Sequence, residues 1–173
     1  FDLDAAKSLK KNHFHQQIDA PTYASYRREA AVNQLDFVIL SALEVDTDFN
    51  VNVLVGSDGI IRGAIGGHPD TAQGAKCAIV ICPLLQGRIP AICTEVTTVT
   101  TPGESIDVVV TDYGVAALKE ADCVPLKTIE ELRDIAYSIV GEPDKVEFED
   151  RIVGIIEARD GTIMDVVRQI KEI

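Results

Sequence analysis

Between an apolar run and a helix-like segment, residues 60–76 read IIRGAIGGHPDTAQGAK and hold four glycines, a histidine and a proline. Gly63, Gly66 and Gly67 allow backbone angles and close approaches that a side chain would block, and Pro69 suits the first position of a helix. Such a turn aims unpaired amide N–H groups outward at the positive end of a helix dipole. An oxyanion, phosphate or carboxylate could therefore be held at Gly66, Gly67 and His68. That is the chemistry of an oxyanion hole. On spacing alone, a tight strand-to-helix turn with Asp70 answering the dipole and His68 capping accounts for the same residues equally well. The glycines fall at the wrong offsets for a GxxxxGK[ST] phosphate loop or a GxGxxG dinucleotide fingerprint, which sets nucleotide hydrolysis aside.

Other reactive side chains are weaker taken singly. His13 and His15 lack carboxylate or thiolate neighbours and read as solvated rather than as metal ligands. Glu44 and Asp46 end an apolar strand, where α/β sites commonly lie, although a carboxylate bonded to its adjacent turn is the commoner arrangement. Arg62 and Arg88 could each grip a substrate carboxylate through paired bonds, or simply balance an acidic surface. Ser57 and Thr111 have no neighbouring histidine pattern of the kind that marks an activated nucleophile. Cys77, Cys82, Cys93 and Cys123 are too widely spaced for a CxxC pair. The first three lie in apolar runs, and the set reads as buried, reduced thiols in a cytoplasmic setting.

The chain also contains the scaffold such residues need. LDFVILSALEV (35–45) is almost continuously apolar, as a strand covered on both faces must be, and KCAIVICPL (76–84) and SIDVVVTD (105–112) repeat that character. NVNVLV (50–55) and RIPAICTEVTTVT (88–100) carry β-branched residues and turn signals, and read as exposed or antiparallel strands. TIEELRDIAYSIVG (128–141) is the clearest helix. Thr128 and Glu131 make a capping box, Ile129, Leu132, Ala136 and Ile139 share one face, and Gly141 ends it. DLDAAKSLKKN predicts a short helix capped by an Asp, residues 13–30 an irregular exposed connection, and 121–127 a surface connection. DKVEFED (144–150) reads as solvated acid. In IVGIIEARDGTIMDVVRQI, Asp160–Gly161 predicts a tight two-residue turn between antiparallel strands. The expected fold is α/β, a mixed and largely parallel sheet flanked by helices with a C-terminal β-hairpin, formed by residues 1–173 as a single domain.

A chain of 173 residues can build a real core. Because it begins at Phe1 and its only methionine is Met164, we expect it to be the later part of a longer polypeptide, lacking the start of its domain. A net charge of -12 argues against nucleic acid and anionic membranes as partners. No apolar stretch approaches the roughly 18 residues of a spanning helix, and the first residues have no signal-peptide centre, so a soluble, cytoplasmic protein is expected.

Taken in order, SALEVDTDFNVNV, GSDGIIRGAIGGHPDTAQGAK, PLLQGRIPAI, TTPGESIDVVVTDYGVA and IVGIIEARDGTIMDVVR resemble the later part of the citrate lyase α subunits, the citrate:acetyl-carrier-protein transferases. The resemblance covers nearly all of the chain. More broadly, the [E/Q]VD turn, GGxxD, GAK before a strand and VTD resemble the coenzyme A transferases, whose α/β fold is shared with phosphosugar isomerases. The resemblance implies that citrate displaces acetate from an acetyl thioester on an acyl carrier protein, giving the citryl thioester that a partner lyase subunit cleaves. It implies that Gly66 and Gly67 offer amides to the thioester carbonyl, with Asn50 and Asn52 of FNVN, His68 and Arg88 at the substrate. The implied partners are citrate, acetate, the carrier (γ) and lyase (β) subunits and further copies of the chain. The cofactor is the phosphoribosyl-dephospho-coenzyme A arm of the carrier, with no cofactor bound covalently here and no metal.

One feature departs from the wider family. The Ser-Glu motif that supplies a glutamate nucleophile in many coenzyme A transferases does not occur in this chain, and Glu44 matches the VD turn rather than that glutamate. A mixed anhydride formed by citrate's own carboxylate is the implied route. A general coenzyme A transferase or acyl-coenzyme A hydrolase, and a non-catalytic module that docks the carrier, stay open as alternatives.

Overall fold

The computed structural model describes residues 2–25, 29–118 and 125–171, so Cys123 and part of the 121–127 connection lie outside the described residues. Asp2 accepts hydrogen bonds from the Asp4 and Ala5 amides and opens helix α1 (Leu3–Lys11), the capping expected of it. The 13–30 stretch is less irregular than expected. Asp19 caps the five-residue helix α2 (Ala20–Ala24), a unit too short to display a helical period in sequence.

Residues 35–45 divide where one strand was expected. β1 (Val38–Ser41) and β2 (Glu44–Asp46) join different sheets, and the intervening Leu43 amide turns away to the Asn52 carbonyl. After β3 (Val51–Asn52) come helix α3 (His68–Gly74), β4 (Ala78–Ile81), the short pair β5 (Leu85–Gln86) and β6 (Ile89–Pro90), and β7 (Ile92–Cys93). Residues 94–100, expected as strand, form none. Then follow β8 (Val108–Thr111), β9 (Gly114–Ala117), helix α4 (Ile129–Val140), and the hairpin of β10 (Phe148–Glu157) and β11 (Ile163–Ile170).

The main sheet has the order β1-β4-β8-β9, with β1, β4 and β8 parallel and β9 folding back antiparallel on β8. A second sheet, β3-β2-β7, is likewise mixed: β2 is parallel to β7 and antiparallel to β3. The mixed, largely parallel α/β arrangement is thus the one expected. Alternation along the strands sends Val38, Leu40, Ala78, Val80, Val109 and Ala116 into a core that Ile129, Leu132 and Ala136 of α4 complete. That helix has its capping box and its Gly141 stop, at φ 85, although Ile139 stays exposed. The intervening residues face the other way, where Ile39 is 67% and Ile81 45% exposed. Among the described residues this sheet is therefore closed on one face only, not on both as its continuous apolar runs predict.

β10 and β11 pair antiparallel as expected, but around a longer turn. The Ala158 amide bonds the Thr162 carbonyl and the Gly161 amide bonds the Ala158 carbonyl, with Gly161 at φ 87. Asp160–Gly161 thus fills the last two places of a three-residue loop rather than a two-residue turn. The hairpin grips the body through buried Ile156 and through Asp165, whose carboxylate accepts from the Thr98 hydroxyl at 2.9 Å and the Val99 amide at 2.6 Å.

Gly103 presses on the turn after β2, where a β-carbon would lie 1.9 Å from the Asp48 carbonyl oxygen. Backbone cannot yield there as a flexible side chain can. Gly103→Ala should therefore cost about 1–3 kcal/mol of stability. At Gly154 the added carbon would meet only Val167, at 3.6 Å. Gly154→Ala should be neutral or stabilising by about 0.5–1 kcal/mol, and urea midpoints of the two variants check the contrast.

Candidate functional site

The turn carrying Gly66 and Gly67 enters α3 with no side-chain cap: Gly67 is the N-cap at φ -99 and ψ 19, and Gly66 is left-handed at φ 56. A β-carbon at Gly66 would meet nothing within 4 Å, and one at Gly67 only the ring of Tyr23 from α2, at 3.9 Å. Open space lies over both residues. Among the described residues neither amide has an acceptor, so the turn leaves two adjacent N–H groups unclaimed. His68 is the first helical residue, which places Pro69 second rather than first.

The histidine does not cap the helix. Its Nε2 lies 2.9 Å from the Ser41 carbonyl, an oxygen that can only accept, so Nε2 carries the proton and Nδ1 accepts from the Thr101 hydroxyl at 2.7 Å. Burial pushes the imidazole below its ordinary pKa, against the opposing bond to Ser41. A neutral ring engaged at both nitrogens braces the end of β1 against Thr101. Asp70 does more than face the helix dipole. Its carboxylate, 5% exposed, accepts from Arg159 Nε at 2.7 Å. Burial raises its pKa, and the Arg159 guanidinium opposes the rise.

Asn50 and Asn52 connect to this brace through the residue between them, because the Thr101 amide donates to the Val51 carbonyl at 3.1 Å. Asn50 accepts from the Gly103 amide at 2.9 Å and donates to Asp46 at 3.1 Å. Asn52 is fully buried. Its Nδ2 bonds Glu44 at 2.8 Å and the Val55 carbonyl, while its Oδ1 accepts from the Leu54 and Val55 amides at 2.9 and 3.2 Å. Every hydrogen-bonding place on that amide is filled, as befits a frame. Glu44 and Asp46 likewise bond neighbouring backbone. Asp46 accepts from the Asp48 and Asn50 amides at 3.0 and 2.9 Å, and burial raises its pKa against bonds from Asn50, Val96 and Asp48.

The two arginines separate. Arg62 is paired through two bonds with Asp58, whose carboxyl is held at about 2, so it balances local acid. Arg88 stands exposed in the turn between β5 and β6, and no side chain among the described residues pairs with it. Gln86 anchors that turn by donating to the Ala42 and Leu43 carbonyls at 3.0 and 3.1 Å, directly after Ser41. Thr111 closes the β8–β9 turn by donating to Gly114, Ser57 is buried, and His13 packs its ring on Phe14. Cys82 and Cys93 are buried as expected, Cys77 is only half-buried, and none of the three forms a disulfide among the described residues. Burial, chiefly, pushes the Cys82 and Cys93 thiols up to about 12, which makes them inert. Among the described residues no group of three or more His, Cys, Asp or Glu gathers as a metal site, and no helix is long and apolar enough to cross a membrane.

Sequence reasoning missed Tyr23, Ser41, Thr101 and Arg159. Only the fold brings residues 41, 68 and 101 together, and no spacing marks them. It also missed an open cleft of ≈ 780 Å³ between the turn after β2, residues 94–99 and β11.

A family model described as citrate lyase, alpha subunit, matches residues 1–170. The chain is 50% identical over 183 aligned positions to the citrate lyase alpha chain of Haemophilus influenzae, and 48% identical over 183 to that of Escherichia coli K12. Each match takes in 99% of this chain and 36% of the relative. A crystal structure described as the alpha subunit of citrate lyase from Streptococcus mutans, in complex with citrate, superposes with a TM-score of 0.93 at 51% identity, over 99% of this chain and 36% of that one. The chain thus spans little more than a third of the length of these relatives.

The histidine brace has a pH signature. Its folded pKa lies below the ordinary value of about 6.5, so its contribution to stability is complete above about pH 6.5 and is lost as pH falls from there through the folded pKa. Asp46 and Asp70, whose pKa values are raised, act with the opposite sign. We expect denaturant midpoints to fall between pH 7.5 and 5.5, and His68→Gln to flatten that decline.

Proposed function

The chain belongs to the citrate lyase alpha subunit family, and from that premise we propose that it forms the acyl-transfer face of a transferase subunit exchanging acetate for citrate on a carrier-protein thioester. The observation that carries this reading is the pair of unclaimed amides at Gly66 and Gly67 beneath open space. In the first step a citrate carboxylate oxygen attacks the acetyl carbonyl, its electron pair closing the new C–O bond while the carbonyl oxygen takes up negative charge. The two amides donate to that oxyanion, where fixed dipoles are worth most. Expulsion of the carrier thiolate leaves a mixed anhydride. Attack of the thiolate on the citryl carbonyl then releases acetate and forms the citryl thioester, with no enzyme nucleophile required.

Within this scheme His68, neutral and bonded at both ends, fixes the turn instead of moving protons. Asn50 and Asn52 act through Val51 and Thr101, holding the frame that holds His68. Arg88 is the cation open to a citrate carboxylate. The citrate bound to the Streptococcus mutans relative supports citrate as the acceptor. The carrier supplies its phosphoribosyl-dephospho-coenzyme A arm, and bare backbone at Gly66 and Gly67 leaves room for an acyl thioester. The γ carrier, the β lyase subunit and further copies of the chain complete the assembly, in the cytoplasm.

Position 67 tests the reading. A β-carbon there meets no atom beyond its chain neighbours closer than the Tyr23 ring at 3.9 Å, and φ is negative, so the fold admits a small side chain where a bound thioester would not. In the full-length subunit assembled with its partners, Gly67→Val, which keeps the amide but crowds the acyl group, is expected to keep its thermal midpoint within a few degrees and to lose about 10²-fold in citrate-dependent acyl transfer, the scale of a displacement near 1 Å. Full activity would refute the oxyanion role. Carrier binding without turnover by the wild-type assembly would identify a docking module instead. Arg88→Gln should raise the KM for citrate, and an unchanged KM would remove Arg88 from the site.

A further inference from the structure

Helix α3 cannot fix its own direction. It has seven residues and no side-chain cap, well short of the length at which a helix holds itself by its own hydrogen bonds. Outside contacts must therefore aim its first residues, and with them the Gly66–Gly67 amides. The β10–β11 hairpin provides two such contacts from far along the chain. At its tip, Arg159 donates through Nε to Asp70 of the first helical turn at 2.7 Å, across 89 residues of sequence. On β11, Asp165 holds the Thr98 hydroxyl and the Val99 amide, two residues before the Thr101 whose hydroxyl bonds His68. The two holds thus close on His68 and Asp70, the residues either side of Pro69.

We infer that Arg159 is a positioning residue for the Gly66–Gly67 turn, acting on the reaction through Asp70 and not by touching substrate. The inference rests on the acyl-transfer reading of that turn. Its physical basis is the burial of Asp70. With the guanidinium removed, a carboxylate 5% exposed loses its counter-charge, and it must then either take a proton or swing toward water. Both responses reorient the first turn of α3. At the hairpin tip Asp160 and Gly161 are exposed, so the contact that reaches α3 from there is the Arg159 guanidinium.

The test uses the full-length subunit assembled with its partners, in wild-type form and as Arg159→Ala, Arg159→Lys, Asp70→Asn and the Arg159→Ala/Asp70→Asn double variant. Hydrogen exchange followed by mass spectrometry should quicken in Arg159→Ala within residues 63–74 and stay unchanged in β4 and β8. In the same variant kcat should fall by about 10²-fold, the scale of a displacement near 1 Å at a reacting centre, with the KM for citrate unchanged. Arg159→Lys keeps a cation beside Asp70 and should recover part of kcat. Asp70→Asn needs no counter-charge, so it should suppress most of the Arg159→Ala defect. Additive losses in the double variant, exchange that is unchanged in residues 63–74, or exchange that quickens throughout the protein would each overturn the inference. Loosening confined to residues 63–74 with undiminished transfer would keep Arg159 as the clasp of the turn and would remove Gly66 and Gly67 from the reaction. Failure of the acyl-transfer reading is therefore distinguishable from failure of the clasp.

Discussion

Between β7 and β8 residues 94–101 belong to no strand, Thr101 alone bridging Val51 of β3, and they bury Val96, Thr98, Thr100 and Thr101. A buried amide left unbonded costs about 1–3 kcal/mol, so such a strap depends on the acceptors that its N–H groups find. Carboxylates from two segments, β2 and β11, provide three of them. Asp46 takes the Val96 amide at 3.4 Å, Glu44 the Thr97 amide at 2.8 Å, and Asp165 the Val99 amide at 2.6 Å. The Thr100 and Thr101 amides then turn to the Val51 carbonyl, at 2.9 and 3.1 Å. The His68 brace is suspended from this strap, because its last residue holds His68, and His68 in turn spans to the end of β1.

The strap changes the meaning of the chain's acidity. A net charge of -12 reads as a surface property, yet Glu44, Asp46 and Asp70 are all buried and each is engaged by hydrogen bonds. Acceptor-only side chains suit an interior in which irregular backbone presents donors in excess. Burial still opposes their charge, which is why Asp46 and Asp70 are pushed above the ordinary carboxylate range. These acids act as struts between segments distant in sequence, and catalytic proton transfer finds no obvious place among them.

What was legible in the sequence was what local patterning controls. α4 with its capping box, the Asp2 cap of α1, the parallel strands and the final hairpin all follow from periodicity and turn chemistry within a short window. Long-range pairing decided the rest. The 35–45 run divides because Leu43 finds Asn52, a partner that apolar content cannot reveal. The 94–100 stretch resembled a strand because β-branched residues suit any buried extended chain, whether its amides meet a neighbouring strand or a carboxylate. The hairpin turn gained a residue because Asp-Gly suits a three-residue loop as well as a two-residue one. At the site, the glycines and the helix start stood out, whereas the Ser41–His68–Thr101 brace and the Arg159–Asp70 pair exist only in three dimensions.

The two glycines of the turn are not equivalent. Gly66 is explained by the fold, since its φ of 56 disfavours any side chain. Gly67 has no such explanation: its φ of -99 and ψ of 19 admit other residues, and the nearest atom to an added carbon is 3.9 Å away. It also occupies the N-cap of a short helix that lacks a side-chain cap, a place where Ser, Asp or Asn would bond the first-turn amides and add roughly a few tenths of a kcal/mol over glycine. Stability alone would favour one of those residues. A capping side chain, however, would claim first-turn N–H groups and fill the space above them, the space an acyl group needs. Glycine at 67 leaves that space open, and the stability the helix forgoes there is supplied from outside, by the histidine brace and by the hairpin that reaches Asp70.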